Sequence, residues 1–120
     1  MSLVNALAGV AVKDLETSIG WYQDLFDRAP DIRPMAGLAE WQFDRGGWIQ
    51  VFEDKVRAGS SSVTLAESDL PTRLAALKKK GIRIGATTIG DAVSTAIIAD
   101  PDGNQIVFAQ GKDAVHRSAS

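Results

Sequence analysis

The chain has 120 residues, of which 45% are hydrophobic and 23% charged, with a formal net charge of −2, no cysteine and a single histidine, His116. This composition fits one compact globular domain; it excludes disulfide scaffolds, thiolate metal centres and cysteine nucleophiles, and leaves almost nothing for imidazole chemistry. Dispersed lysines and arginines give no footprint for nucleic acid, and no apolar run approaches the roughly 20 residues of a membrane span, so a cytoplasmic protein without nucleic-acid or membrane partners is expected.

In chain order, residues 8–12 alternate as a strand, and Asp14 is placed to cap a helix whose apolar positions Leu15, Ile19, Tyr22 and Phe26 recur at helical spacing. Residues 27–37 contain two prolines and predict a loop or an irregular edge strand. Residues 38–44 alternate again, with Ala39, Trp41 and Phe43 on one face and Glu40, Gln42 and Asp44 on the other. The turn Arg45-Gly46-Gly47 leads into a strand over 48–52, completing a hairpin.

The second half starts with an alternating run ending in Asp69-Leu70. Ser68 or Asp69 caps a helix carrying Leu70, Leu74 and Leu77, and Pro71 is tolerated in its first turn. Lys78, Lys79 and Lys80 complement the negative end of the helix dipole, and Gly81 suits a left-handed residue just beyond it. Strands are expected over 82–84, 93–99 and 105–109, the last two joined by the turn Asp100-Pro101-Asp102-Gly103-Asn104, in which the two aspartates cap backbone rather than act in catalysis. A frayed tail is expected over 113–120, with His116 exposed in it.

The two halves repeat. Residues 8–15 lie over residues 63–70, each an apolar alternation ending in Asp-Leu, and the helices that follow share their apolar spacing. The expected fold class is α+β: two βαβββ modules, about 5–54 and 60–110, forming one domain over 1–112.

Three segments carry a family resemblance. Val10-Ala11-Val12-Lys13-Asp14-Leu15-Glu16-Thr17-Ser18-Ile19-Gly20-Trp21-Tyr22, its echo over 62–70, and Asp100-Pro101-Asp102-Gly103-Asn104-Gln105-Ile106-Val107-Phe108 resemble the strand–helix and last-hairpin motifs of the vicinal oxygen chelate superfamily. That superfamily includes glyoxalase I, bleomycin- and fosfomycin-resistance proteins, extradiol dioxygenases and methylmalonyl-CoA epimerase. The resemblance implies curved mixed sheets around a cavity, the glyoxalase/bleomycin-resistance-like fold; the vacant edges of its two half-barrels must pair within the chain or with a second copy, and a homodimer is expected. Because the scaffold hosts isomerisation, ring cleavage, epoxide opening and drug binding, it leaves the activity open.

Metal-using relatives place His, Gln or Glu at four equivalent strand positions. The resemblance carries these onto Leu7, Ser62, Val107 and Val51, with a one-residue margin at the last that admits Gln50 or Phe52. Only Gln50 offers a donor, and its alternative is a solvent-facing strand polar; a divalent cation needs several, with anionic charge among them, so no metal and no cofactor is expected. The cavity lining implied by the resemblance shares the parity of those positions: Leu7, Gly9 and Ala11, then Ser62, Thr64 and Ala66, then Gln105, Val107 and Ala109. Trp41 and Trp48 are expected to offer stacking faces, their alternative being the core, where Trp21 and Tyr22 belong. The expected ligand-binding set is therefore Leu7, Trp41, Trp48, Gln50, Ser62, Thr64 and Val107. The expected function is metal-independent binding of a small organic molecule, an aromatic or cationic drug-like compound. The alternative is a lyase, isomerase or dioxygenase relative using Glu40, Glu53 or Glu67.

Overall fold

A computed structural model describes residues 2–111; His116 and the tail expected over 113–120 lie outside the described residues. The element order is β1 (Leu7–Val12), α1 (Leu15–Phe26), β2 (Ile32–Met35), β3 (Leu38–Gln42), β4 (Trp48–Glu53), β5 (Ser62–Ala66), α2 (Leu70–Lys79), β6 (Thr87–Ile89), β7 (Val93–Ala99) and β8 (Gln105–Gly111). This is βαβββ twice, the α+β two-module arrangement. The described residues divide into two compact units, residues 2–61 with 101–104, and residues 62–100 with 105–111.

In the first unit the sheet order is β1-β4-β3-β2, with β1 parallel to β4 and the other pairs antiparallel. Asp14 accepts the Glu16 amide at the start of α1, and Asp27 ends the helix in the left-handed region at φ 61°. One side of the sheet is covered by the helix. Val10, Val12, Ala39, Trp41, Ile49 and Val51 point to that side and pack with Leu15, Tyr22 and Leu25, all essentially inaccessible to solvent. β2 is the irregular edge strand expected of residues 27–37: it carries Pro34, its register slips between Ile32 and Met35, and all four of its residues are exposed.

The turn Pro101–Asn104 belongs to this first unit. Asn104, fully buried, accepts the Ser61 amide and donates to the Ala11 carbonyl. Ser61 Oγ accepts the Ala11 amide, so both backbone groups of Ala11 are satisfied on the free edge of β1. Asp102 accepts the Lys13 amide, the backbone-capping role expected of it. The fit is close: a Cβ on Gly59, where φ is 91°, would stand 2.5 Å from the Asp102 carbonyl oxygen.

The second unit repeats the plan with the order β5-β8-β7-β6. Asp69 caps α2 by accepting the Thr72 amide and hydroxyl, with Pro71 in the first turn. The helix ends in a Schellman motif: Gly81, at φ 73°, donates to Lys78 and Ile82 donates to Leu77. Leu70 and Leu77 pack over Val63, Ala96, Ile98, Ile106 and Phe108.

One expected strand is corrected. Residues 82–84 form no strand; β6 comes later, at Thr87–Ile89. Ile82 is spent closing the Schellman motif, and only from Gly85, which donates to the Ile97 carbonyl, does the chain run alongside β7. Alternation over three residues thus marked half-buried side chains of a connecting segment rather than a paired strand.

Candidate functional site

Strand parity gives each sheet a helix side and an open face. In the first unit the open face carries Leu7 and Gly9 from β1, Leu38, Glu40 and Gln42 from β3, and Trp48, Gln50 and Phe52 from β4. Leu7 is 44% exposed, Trp48, Gln50 and Phe52 are half-buried, and Glu40 is only 9% exposed. The register sets Glu40 opposite Gln50, and Gln50 beside Gly9. Gln50 Nε2 donates to Glu40 Oε2 at 2.5 Å, joining the two polar side chains at the middle of this face. Phe52 leans over Gly9, where a Cβ would meet its ring at 3.2 Å, and Arg57 sets its guanidinium carbon 5.4 Å from the centre of the Phe52 ring. The outcome is a carboxylate–amide pair bordered by two aromatic rings and by aliphatic side chains.

Several sequence expectations are resolved by this geometry. Trp48 and Gln50 lie on the open face, as does Leu7. Trp41 does not: it is fully buried on the helix side, its ring centre 5.5 Å from Phe26 and 6.1 Å from Tyr22, and its indole Nε1 donates to the Arg28 carbonyl. Trp41 is therefore a core residue and is corrected as a ligand contact. Tyr22 is core as expected, while Trp21 is only half-buried. Val51 is also on the helix side and inaccessible, so of the three residues admitted at the β4 position it is excluded. The pairing of Gly9 with Gln50 matches the pairing of Thr64 with Val107 in the second unit, which makes Gln50 the counterpart of Val107.

The open face of the second unit is smaller in chemistry. It carries Ser62 and Thr64 from β5, Gln105, Val107 and Ala109 from β8, and Thr95 and Ile97 from β7. Gln105 Nε2 donates weakly to Ser62 Oγ at 3.4 Å. No aromatic ring and no charged group stands among these residues, and Ser62 and Thr64 are exposed.

The three carboxylates considered for catalysis separate cleanly. Glu53 accepts the Leu15 amide and so caps α1 from the end of β4. Glu67 pairs with Arg73 at 2.8 Å and accepts the Asp69 amide. Only Glu40 faces outward from a sheet. Nearby, Asp31 is held below its ordinary 3.8 by the Gln42 backbone amide first and by Arg28 second, so it stays anionic and pins β3 to the segment before β2.

No family model and no curated protein matches the chain. Among solved structures, a glyoxalase/bleomycin resistance protein from Catenulispora acidiphila is 29% identical over 90% of this chain and 98% of its own, with a TM-score of 0.81. The chain belongs to the vicinal oxygen chelate superfamily. Two further structures share the fold: TnmS3, an antibiotic-binding protein from Streptomyces sp. CB03234 (20% identity, 93% and 99% coverage, TM-score 0.77), and a bleomycin resistance determinant encoded on transposon Tn5 (21%, 92% and 99%, TM-score 0.75).

At the positions that the sequence resemblance assigns to metal ligands, the first unit carries Leu7 and Gln50 and the second Ser62 and Val107. An amide and a hydroxyl supply neither the number nor the charge of donors that a divalent ion requires. Among the described residues no three His, Cys, Asp or Glu side chains gather as a metal-holding group. The donor set does not fit the metal that vicinal oxygen chelate enzymes use.

Proposed function

We propose that this protein binds a small organic molecule, aromatic or cationic, without a metal, and acts by sequestering it. The observation that carries this reading is the open face of the first unit, where Trp48 and Phe52 border the Glu40–Gln50 pair in place of a metal-ligand set. Half-exposed aromatic rings offer stacking area at low conformational cost, and a few fixed polar groups among apolar ones are the usual make-up of an organic-ligand site. Leu7, on the same face, and Ser62, Thr64 and Val107, on the second unit's open face, are proposed as further ligand contacts. The antibiotic-binding and bleomycin-resistance proteins of the same fold support a small organic molecule as the ligand. The protein is proposed to act as a homodimer in the cytoplasm; no helix among the described residues is long and apolar enough to cross a membrane.

The test is titration of a planar aromatic compound, followed by its own fluorescence, with excess chelator present. Saturable binding that survives chelator and is lost in Trp48→Ala is expected. Binding that appears only when a divalent metal is added would contradict the proposal. The enzymatic alternative narrows to Glu40, and turnover of a glyoxalase or dioxygenase substrate that disappears in Glu40→Gln would favour it instead.

A further inference from the structure

Glu40 is an expensive residue to place where it stands. Its side chain is on a strand face rather than at a chain end, it is 9% exposed, and its register neighbours are Gln50 on one side and Ile32 on the other. Leu38 precedes it on the same face of β3. Among the described residues the hydrogen-bonding partner of its carboxylate is the neutral Gln50 amide. Two cations of this unit pair elsewhere: Arg28 with Asp31, and Arg33 with Glu16. Arg57 rests against the Phe52 ring, so an aromatic of this same face already stacks a cation. A carboxylate withdrawn from water without an opposite charge loses hydration that one amide does not replace, and in such surroundings its attraction for a cation is far stronger than in water.

We propose that Glu40 is the counter-ion for a positively charged group of the ligand, oriented by Gln50 and placed so that the cation's planar body stacks against Trp48 or Phe52. This rests on the binding function proposed above and narrows it: the protein selects cations, amines or amidines fused to an aromatic system, over neutral molecules of equal shape. Gln50 is a positioning residue. Its amide occupies Oε2 and holds the carboxylate plane, leaving Oε1 for a donor on the ligand.

The experiment compares two probes of nearly equal shape at pH 7, 9-aminoacridine, which is cationic, and acridine, which is largely neutral, in fluorescence titrations with the full-length protein and with Glu40→Gln. The parent should bind the cation more tightly than acridine by about ten- to a hundredfold, the range expected for one charge-assisted hydrogen bond. Glu40→Gln should remove that preference while changing acridine binding less than about twofold, and added salt should weaken only the cation. The variant should also melt no lower than the parent, because it removes an uncompensated charge and keeps the shape. Equal affinity of the parent for both probes, or parallel loss of both in Glu40→Gln, overturns the counter-ion role and leaves the binding function standing. A marked fall in melting temperature would assign Glu40 to structure instead. If neither probe binds the parent, both readings fall together.

Discussion

Two tryptophans only seven positions apart, Trp41 and Trp48, have opposite fates. Alternation over 38–44 fixes that Trp41 and Glu40 face opposite sides, but it carries no information on which side the helix covers. Phe26 and Tyr22 decide it, by closing over Trp41. Trp41→Ala should therefore cost about 3–5 kcal/mol in urea unfolding, the usual range for emptying a large buried aromatic site. Trp48→Ala, at a half-buried position, should cost on the order of 1 kcal/mol while abolishing ligand binding. Equal stability losses in the two variants would contradict this assignment. Asn104 is a second residue whose weight was hidden. Its place in a Pro-Gly turn is plain in the sequence, but its bonds to Ala11 and Ser61 link positions remote in the chain. Asn104→Ala should cost about 1–3 kcal/mol for the buried Ala11 carbonyl it leaves unpaired, and less for the part-buried Ser61 amide, measured by the same unfolding experiment.

At the scale of elements, the two helices are started by matching devices, one written locally and one not. Asp14 and Asp69 cap from the residue before each helix, as their sequence positions announce. Each helix also receives a cap from the distant end of the neighbouring strand: Glu53 for the Leu15 amide and Gln110 for the Leu70 amide. Nothing local marks Glu53 for this role, which is why it also stood as a catalytic candidate. Glu53→Ala should lower stability by about 1 kcal/mol and leave ligand affinity unchanged, seen by unfolding and titration of one variant. Acid dependence follows from Asp69, whose carboxyl is held below 3.8 by the Thr72 hydroxyl first and the Thr72 amide second. A depressed folded pKa means that its contribution is complete above the ordinary value and is lost as pH falls through the folded one. Asp69→Asn should consequently flatten the fall in melting temperature below about pH 4 while changing little of its slope near neutrality. The corrected strand at 82–84 belongs to this scale as well: three alternating residues are too few to tell pairing from packing, whereas the glycine that ends α2 was legible from chemistry alone.

For the whole molecule, the repeat was the most legible feature, because duplication leaves the same apolar spacing and the same Asp-Leu boundary twice. What duplication conceals is divergence between the copies. Both open faces descend from equivalent strands, yet one carries Trp48, Phe52 and the Glu40–Gln50 pair and the other small hydroxyl, amide and aliphatic groups. The residues at the superfamily's ligand positions could be read off the chain, and they already argued against a metal. The carboxylate that gives the first face its charge could not be assigned there until the hairpin register set it opposite Gln50. The proposed homodimer is checked by sedimentation of the full-length protein, with a twofold mass expected at micromolar concentration. The central claim, metal-independent binding, is tested most directly by native mass spectrometry combined with elemental analysis on protein purified without chelator and then mixed with 9-aminoacridine. The predicted result is one retained probe per chain with divalent metal far below one per chain; one tightly held metal per chain, whose removal abolishes probe binding, would contradict it.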